Sequence, residues 1–441
     1  MGVSKAVYNG KTLIDLTQDT VTETKLLSGY TAHKADGTII NGGITTKQAA
    51  TYTPTTTDQT FAEDEYLYGN VVLKGDPNLL AENIKAGVTI FGVTGTAEEY
   101  IQPLPARSST TTLSIARYDL GSASIGNYAL FAGGSKITSS ANYNYDTVDA
   151  YNISLTRSAP TALNFARGEG VRGASIGDYA LFAGCASGSS SSAGMRRKVD
   201  VYNTSLTHSM APDLQDGKED SSASASNTNY VLFAGGFGGI NKVEGYNSSL
   251  TLISAENLKA NKCELSGISF GRFALFGGGG YSSYSTQVEI YDDSLTHTIL
   301  TNLSQGKGRM GAASNNKYAM FGGGYTGSSV SKYVDAYDKN LTHYSPTSLN
   351  TARQRLSGLS FKNYVIFGGG YTATAVSPKY TSGFSNVVDT YNKNLTHTVT
   401  TNLSQSRPEL ASASVGDYAL FAGGGYDSNV YVAYNTVDVY A

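Results

Sequence analysis

Seven basic residues each follow a leucine by four positions: Arg117, Arg167, Lys218, Lys262, Lys307, Arg353 and Arg407 stand after Leu113, Leu163, Leu214, Leu258, Leu303, Leu349 and Leu403. Seven acidic residues recur as regularly, each after a valine: Asp149, Asp200, Glu244, Glu289, Asp335, Asp389 and Asp438. Two kinds of chemistry fit this pattern. A ring of cations on one face suits an anionic ligand, whereas equal numbers of cations and acids in a partly buried setting neutralise one another as ion pairs between strands. Pairing is the simpler expectation, because charged side chains are rarely buried alone.

A second set of candidates lies in irregular segments at 135–146, 186–198, 280–287, 325–333, 371–386 and 426–436, which are built from Tyr, Ser, Gly, Thr and Asn. That is the composition of an adaptable recognition surface, in which Tyr supplies contact area and small polar residues supply hydrogen bonds. The contact candidates are Tyr143, Tyr145, Tyr284, Tyr325, Tyr371, Tyr380, Tyr426 and Tyr431, with Arg196 and Arg197 suited to the phosphates of an anionic polymer. Catalysis is poorly served. Four of the five histidines, His208, His297, His343 and His397, occupy one repeated position and so lie apart. Zinc-type spacings and H-E-x-x-H are missing. A glycosidase needs two converging carboxylates; Asp146, Asp216, Glu219, Asp220, Asp292 and Asp427 break the acidic pattern without forming an obvious pair. No catalytic residue, metal or cofactor is therefore expected.

Lys plus Arg number 32 and Asp plus Glu 35, a formal net charge of -3, which gives no support to nucleic-acid binding. Fifty glycines, 32 tyrosines and no tryptophan describe a turn-rich, mostly β chain. Cys185 and Cys263 fall at unrelated places, so they read as thiols outside any disulfide or metal site. The first residues, M-G-V-S-K-A-V-Y-N-G-K, lack the apolar stretch of a signal peptide, and no run approaches a membrane span.

The elements that position these residues are set by a repeat. The segment 178–184, D-Y-A-L-F-A-G, has six near-copies, whose opening aromatics are Tyr128, Tyr179, Tyr230, Phe273, Tyr318, Tyr364 and Tyr418, separated by 51, 51, 43, 45, 46 and 54 residues. Each unit parses into four strands: a, small and mixed, as in G-A-S-I; b, the apolar run; c, V-D/E-x-Y; and d, opened by an N/D-x-S/N-L-T turn and ending near the leucine. An unbroken apolar strand b fits burial on both faces. Four short strands per unit with glycines after the second resemble a kelch-type β-propeller blade, and the resemblance covers 106–441. It implies a seven-bladed propeller with the long b–c loops and d–a links on one face. The usual outer-strand Trp is absent, with S-L-T or N-L-T and often His in its place. The seventh unit lacks strand d, and 109–117, S-T-T-T-L-S-I-A-R, is d-like without a strand c; residues 106–113 are therefore expected to supply the last blade's outer strand.

Ahead of the propeller, two small β-rich modules are expected at 1–45 and 46–98, with a linker at 99–105. The spacing after Asp76-Pro77 predicts a short capped helix ending at Gly87, then a strand over 88–93. The phrases L-L-S-G-Y-T-A-H, T-T-T-D-Q-T and N-I-K-A-G-V-T-I-F-G-V-T-G-T closely resemble the N-terminal modules of tail-fibre and baseplate-associated proteins of phages and prophages of Gram-positive bacteria. The resemblance implies attachment to other tail or baseplate proteins through 1–98, a homo-oligomer with a trimer as its form, and a place in the virion tail after synthesis in the host cytoplasm. With the propeller's variable face, it implies a receptor-binding protein that recognises a bacterial surface glycan or protein. The rival readings are a tail-borne polysaccharide depolymerase and a kelch-type protein-interaction scaffold.

Overall fold

The computed structural model describes residues 2–45, 53–61, 71–96, 107–168, 170–185, 194–218, 222–236, 238, 240–280, 283–372, 383–425 and 432–441. The chain divides into two units, Met1–Gln102 and Pro103–Ala441.

The larger unit is a seven-bladed β-propeller, each blade a four-stranded antiparallel sheet. Blade 2 shows the pattern: Arg172–Ile176 (a), Tyr179–Ala183 (b), Val199–Asn203 (c) and His208–Ala211 (d). Strand b alternates its side chains between two cores. In blade 1, Ala129 and Phe131 pack against blade 7, while Leu130 and Ala132 pack against blade 2. Every residue of that strand but the first is therefore solvent-free, which is why it reads as a continuous apolar run. The outer strands are shorter than the sequence suggests. In blade 1 strand d is only Arg157–Ser158, and Leu163 lies beyond it in a loop, where its amide donates to Asp146 O at 2.8 Å.

The last blade is completed from the start of the unit. Ser108–Ser109 pairs with Val439 and Asp438, so its sheet contains residues more than 300 apart in sequence. Arg107 then occupies the place that opens strand d elsewhere, and its guanidinium reaches Asp438 at 3.0 Å.

All seven basic–acidic pairs are formed: Arg117–Asp149, Arg167–Asp200, Lys218–Glu244, Lys262–Glu289, Lys307–Asp335, Arg353–Asp389 and Arg407–Asp438. Each member is at most 2 % exposed, which excludes an anion-binding ring built from these cations. The basic residue joins two blades. Its side chain meets the acid of one blade while its carbonyl accepts an amide from the blade before, as in Gly134 N to Arg167 O at 2.9 Å and Gly424 N to Arg117 O at 3.0 Å. Glycine at 134 is required here: φ is 98° and a Cβ would lie 2.7 Å from Tyr118 O. The acid also accepts a backbone amide past the leucine, for example Asn164 N to Asp200 at 2.7 Å.

The repeated histidines add a third member to these pairs. His208, His297, His343 and His397 reach the same carboxylates through Nε2 at 2.6–3.0 Å and lie against the strand-c tyrosines Tyr202, Tyr291, Tyr337 and Tyr391. In this way an imidazole on a tyrosine fills the outer edge in a protein without tryptophan.

The smaller unit has little interior of its own. Among its described residues, Ile40 and Ile84 are the buried hydrophobics, whereas Val7, Tyr8, Leu13, Tyr30, Ile39 and Phe91 are exposed. Lys5–Tyr8 and Lys11–Asp15 form a hairpin through an Asn9-Gly10 turn with both φ values positive. One motif occurs twice. A 3-10 turn, Glu23–Lys25 or Ala81–Asn83, precedes a left-handed glycine, Gly29 or Gly87, and its first carbonyl accepts an amide from Gly43 or Thr96 at 2.7 Å. The predicted capped helix is therefore corrected to Ala81–Asn83 without a side-chain cap. Asp76 instead turns back on the Asn78 amide, and so few residues before Gly87 do not repay helix nucleation. The predicted strand over 88–93 is a hairpin of Thr89–Ile90 and Val93–Thr94.

Candidate ligand-binding site

The antiparallel blades put the a–b and c–d turns at one end of the ring and the b–c loops and d–a links at the other. The innermost strands neighbour one another around the axis, blade 1 meeting blade 7. They enclose an axial cavity of about 640 Å³, lined by strand a and the links that lead into it.

Each end of the cavity is built differently. At the short-turn end, strand a contributes serine in every blade: Ser124, Ser175, Ser226, Ser269, Ser314, Ser360 and Ser414. Their hydroxyls bond from blade to blade, Ser175 to Ser124 O, Ser226 to Ser175 O and Ser314 to Ser269 O, each at 2.7 Å. At the long-loop end, the link residue just before strand a is charged in five blades: Asp119, Glu264, Arg309, Arg355 and Glu409. All five have positive φ, from 51° to 57°.

A left-handed backbone costs a residue with a Cβ about 1–2 kcal/mol, and glycine would take this conformation freely, as Gly170 does in blade 2. The leucines of the c–d turns, such as Leu155 and Leu206, also have positive φ, but each packs on an inter-blade core. The mouth residues have no such packing. What they place at the axis is charge, and backbone strain of this kind motivates a functional reading.

The charges are paired across blades: Arg309 with Glu264 at 2.5 Å, Arg355 with Glu409, and Arg172 with Asp119 at 3.4 Å. Backbone bonds pass along the same collar, from Arg309 N to Glu264 O, Arg355 N to Arg309 O, Glu409 N to Arg355 O and Asp119 N to Glu409 O, at 2.9–3.1 Å. Burial pushes the Glu264 carboxyl up, but the bond and charge of Arg309 outweigh it and hold the group below its usual range. Burial and the neighbouring Glu264 push the Tyr284 phenol up, so it stays a hydrogen-bond donor.

Of the contact candidates among the described residues, the collar gathers Tyr284 and Tyr325. Tyr284 donates to the Glu264 carboxylate, its ring lies edge-on to Tyr325 at 5.8 Å, and the Arg309 guanidinium sits 5.6 Å from the Tyr325 ring centre. Tyr143 is 48 % exposed on a separate hairpin, Ser135–Ile137 with Asn142–Asn144. Tyr145 is half-buried and bridges Arg167. Arg196 and Arg197 lie in a 3-10 turn, where the Arg197 side chain donates to Leu214 O at 2.6 Å.

Tyr371 is 9 % exposed, packs against Phe384 and exchanges backbone bonds with Gln354. Tyr380, Tyr426 and Tyr431 lie outside the described residues, as do Glu219, Asp220 and Asp427. Asp292 spends a carboxylate oxygen on the Ser294 and Thr296 amides. Among the described residues, no cluster of three or more His, Cys, Asp or Glu is arranged to hold a metal ion.

The collar is hard to see in the sequence because its members share a place in the repeat but differ in sign, Asp119, Glu264 and Glu409 being acidic and Arg309 and Arg355 basic. The one available signal is a charged residue immediately before the buried apolar residue that leads into strand a. Compared with known proteins, this seven-bladed β-propeller matches no protein-family model and no curated protein.

Proposed function

We infer that the protein is a receptor-binding component of a phage or prophage tail, attached through residues 1–98 and recognising a bacterial surface glycan or surface protein with the long-loop end of its propeller. The resemblance of the first hundred residues to tail modules supports the attachment role. The exposed apolar residues of the N-terminal unit, Tyr8, Leu13, Tyr30 and Phe91 among them, suit contacts with tail proteins or with further copies of the chain. Several copies per particle would convert weak single-site binding into avidity.

The observation that carries the recognition role is the charged collar with Tyr284 and Tyr325 at its rim. These side chains are held in place by strained backbone and inter-blade bonds, at the end of the ring where loop length and sequence vary. Variable loops on a rigid frame are the usual seat of binding.

Adsorption of fluorescently labelled full-length protein to Gram-positive cells tests this reading. Saturable adsorption is expected, weakened by Tyr325→Ala and unchanged by Asp178→Ala at the short-turn end. Adsorption to no strain of a broad panel, or loss only with the short-turn variant, contradicts it. Release of oligosaccharide from the same cells would move the assignment to a depolymerase.

A further inference from the structure

The geometry points to the collar and the cavity beneath it as a binding site for a neutral sugar, one or two rings entering along the propeller axis. The inference rests on the surface-recognition reading and assigns that reading's ligand a chemical class and a place. At about 640 Å³, the cavity falls within the roughly 300–1,000 Å³ typical of small-molecule sites.

Charge decides the class. Among the described residues, the collar carries three carboxylates, Asp119, Glu264 and Glu409, and three guanidiniums, Arg172, Arg309 and Arg355, joined as three ion pairs. Among these described groups an anionic or cationic ligand finds no unpaired counter-charge and would have to break a pair to gain one. A ligand whose groups both donate and accept meets remaining guanidinium N–H bonds and carboxylate lone pairs together, and a sugar hydroxyl is such a group. Bonds to charged partners are the stronger ones.

The wall below continues the same polarity, with Ser124, Ser175, Ser226, Ser269, Ser360 and Ser414 lining the cavity. Its large apolar members, Leu120, Leu265, Met310, Leu356 and Leu410, are buried and offer no pocket for the apolar anchor of a protein partner. Blade 3 breaks that apolar series with Ser222. This residue lines the cavity, is 1 % exposed, and has a hydroxyl without a hydrogen-bond partner among the described residues. At the rim, the Tyr284 and Tyr325 rings supply the flat apolar surface against which the C–H face of a pyranose lies.

Saturation-transfer NMR and calorimetry on the full chain test the assignment. The probes are glucose, galactose, N-acetylglucosamine and the β-1,4-linked dimers of glucose and N-acetylglucosamine, with glucuronate and glycerol phosphate as charged counterparts. At least one neutral saccharide is expected to bind at millimolar concentration in preference to both charged probes. Glu264→Gln combined with Arg309→Gln, which removes both charges and leaves neutral amides in their place, should weaken that binding about tenfold. Tyr325→Ala should weaken it while leaving the thermal midpoint in place. Silence of every neutral saccharide, preference for a charged probe, or affinity unchanged in both variants overturns the proposal. Cell adsorption is scored separately: adsorption without saccharide binding sinks the axial site alone, and saccharide binding without adsorption sinks the tail reading alone.

Discussion

A guanidinium sealed from water is tolerated only where charge and hydrogen bonds replace the solvent it has lost. Arg353 meets these terms: its partners are Asp389 at 2.5 Å, Phe367 O at 3.1 Å and Val387 O at 2.7 Å, and it has no exposed surface. Truncating one partner, as in Asp389→Ala, should cost about 3–5 kcal/mol because the other charge stays buried. The exposed pair Lys362–Asp417 should be dispensable. Urea unfolding of both variants checks the contrast, and equal shifts would contradict it. Both charge series were legible in the sequence because charge repeats at a fixed spacing, from a leucine for the bases and from a valine for the acids. The role of the histidines was not. His343 meets Asp335 across a turn, eight residues away, and only strand register, which sets His343 opposite Tyr337, puts the two on one face.

Among elements, strand b was the most legible, since burial on both faces leaves an uninterrupted apolar signature. The long loops were the least. Tyr371 and Tyr325 follow the same glycines and make equivalent bridges, to Gln354 and Gly308, yet one ring is buried on Phe384 and the other stands at the axial mouth. Tyrosine content does not separate these fates; loop conformation does. The outer strand of the last blade was found by counting strands, because a ring with one strand missing and one spare has a single economical closure. It rests on two residues in register, Ser108 and Ser109. Removing residues 1–114 should therefore expose the edge of strand c at Val437–Tyr440 and give an aggregating propeller, whereas removing 1–100 should give a soluble one. Light scattering of the two truncations decides the point, and equal solubility would refute it.

At the scale of the molecule, the two units differ in how they are stabilised. The propeller has apolar cores between blades 7 and 1, 1 and 2, 2 and 3, 3 and 4, 4 and 5, and 5 and 6, and a polar collar around its axis. The described residues of the N-terminal unit bury little apolar surface, as expected of modules too small to close a core. The proposed roles divide along the same line, attachment to residues 1–98 and recognition to the propeller. The axial mouth was hidden in the sequence because its charged residues, Asp119, Arg172, Glu264, Arg309, Arg355 and Glu409, come singly from separate blades.

The claim on which this account turns is that recognition occurs at the long-loop end of the axis. Hydrogen–deuterium exchange of the full-length protein, with and without isolated Gram-positive cell walls, tests it most directly. The predicted result is added protection at 264–266, 283–285, 308–310 and 325–331, with the turns at 126–127, 177–178, 271–272 and 416–417 unchanged. Protection confined to those turns would contradict it.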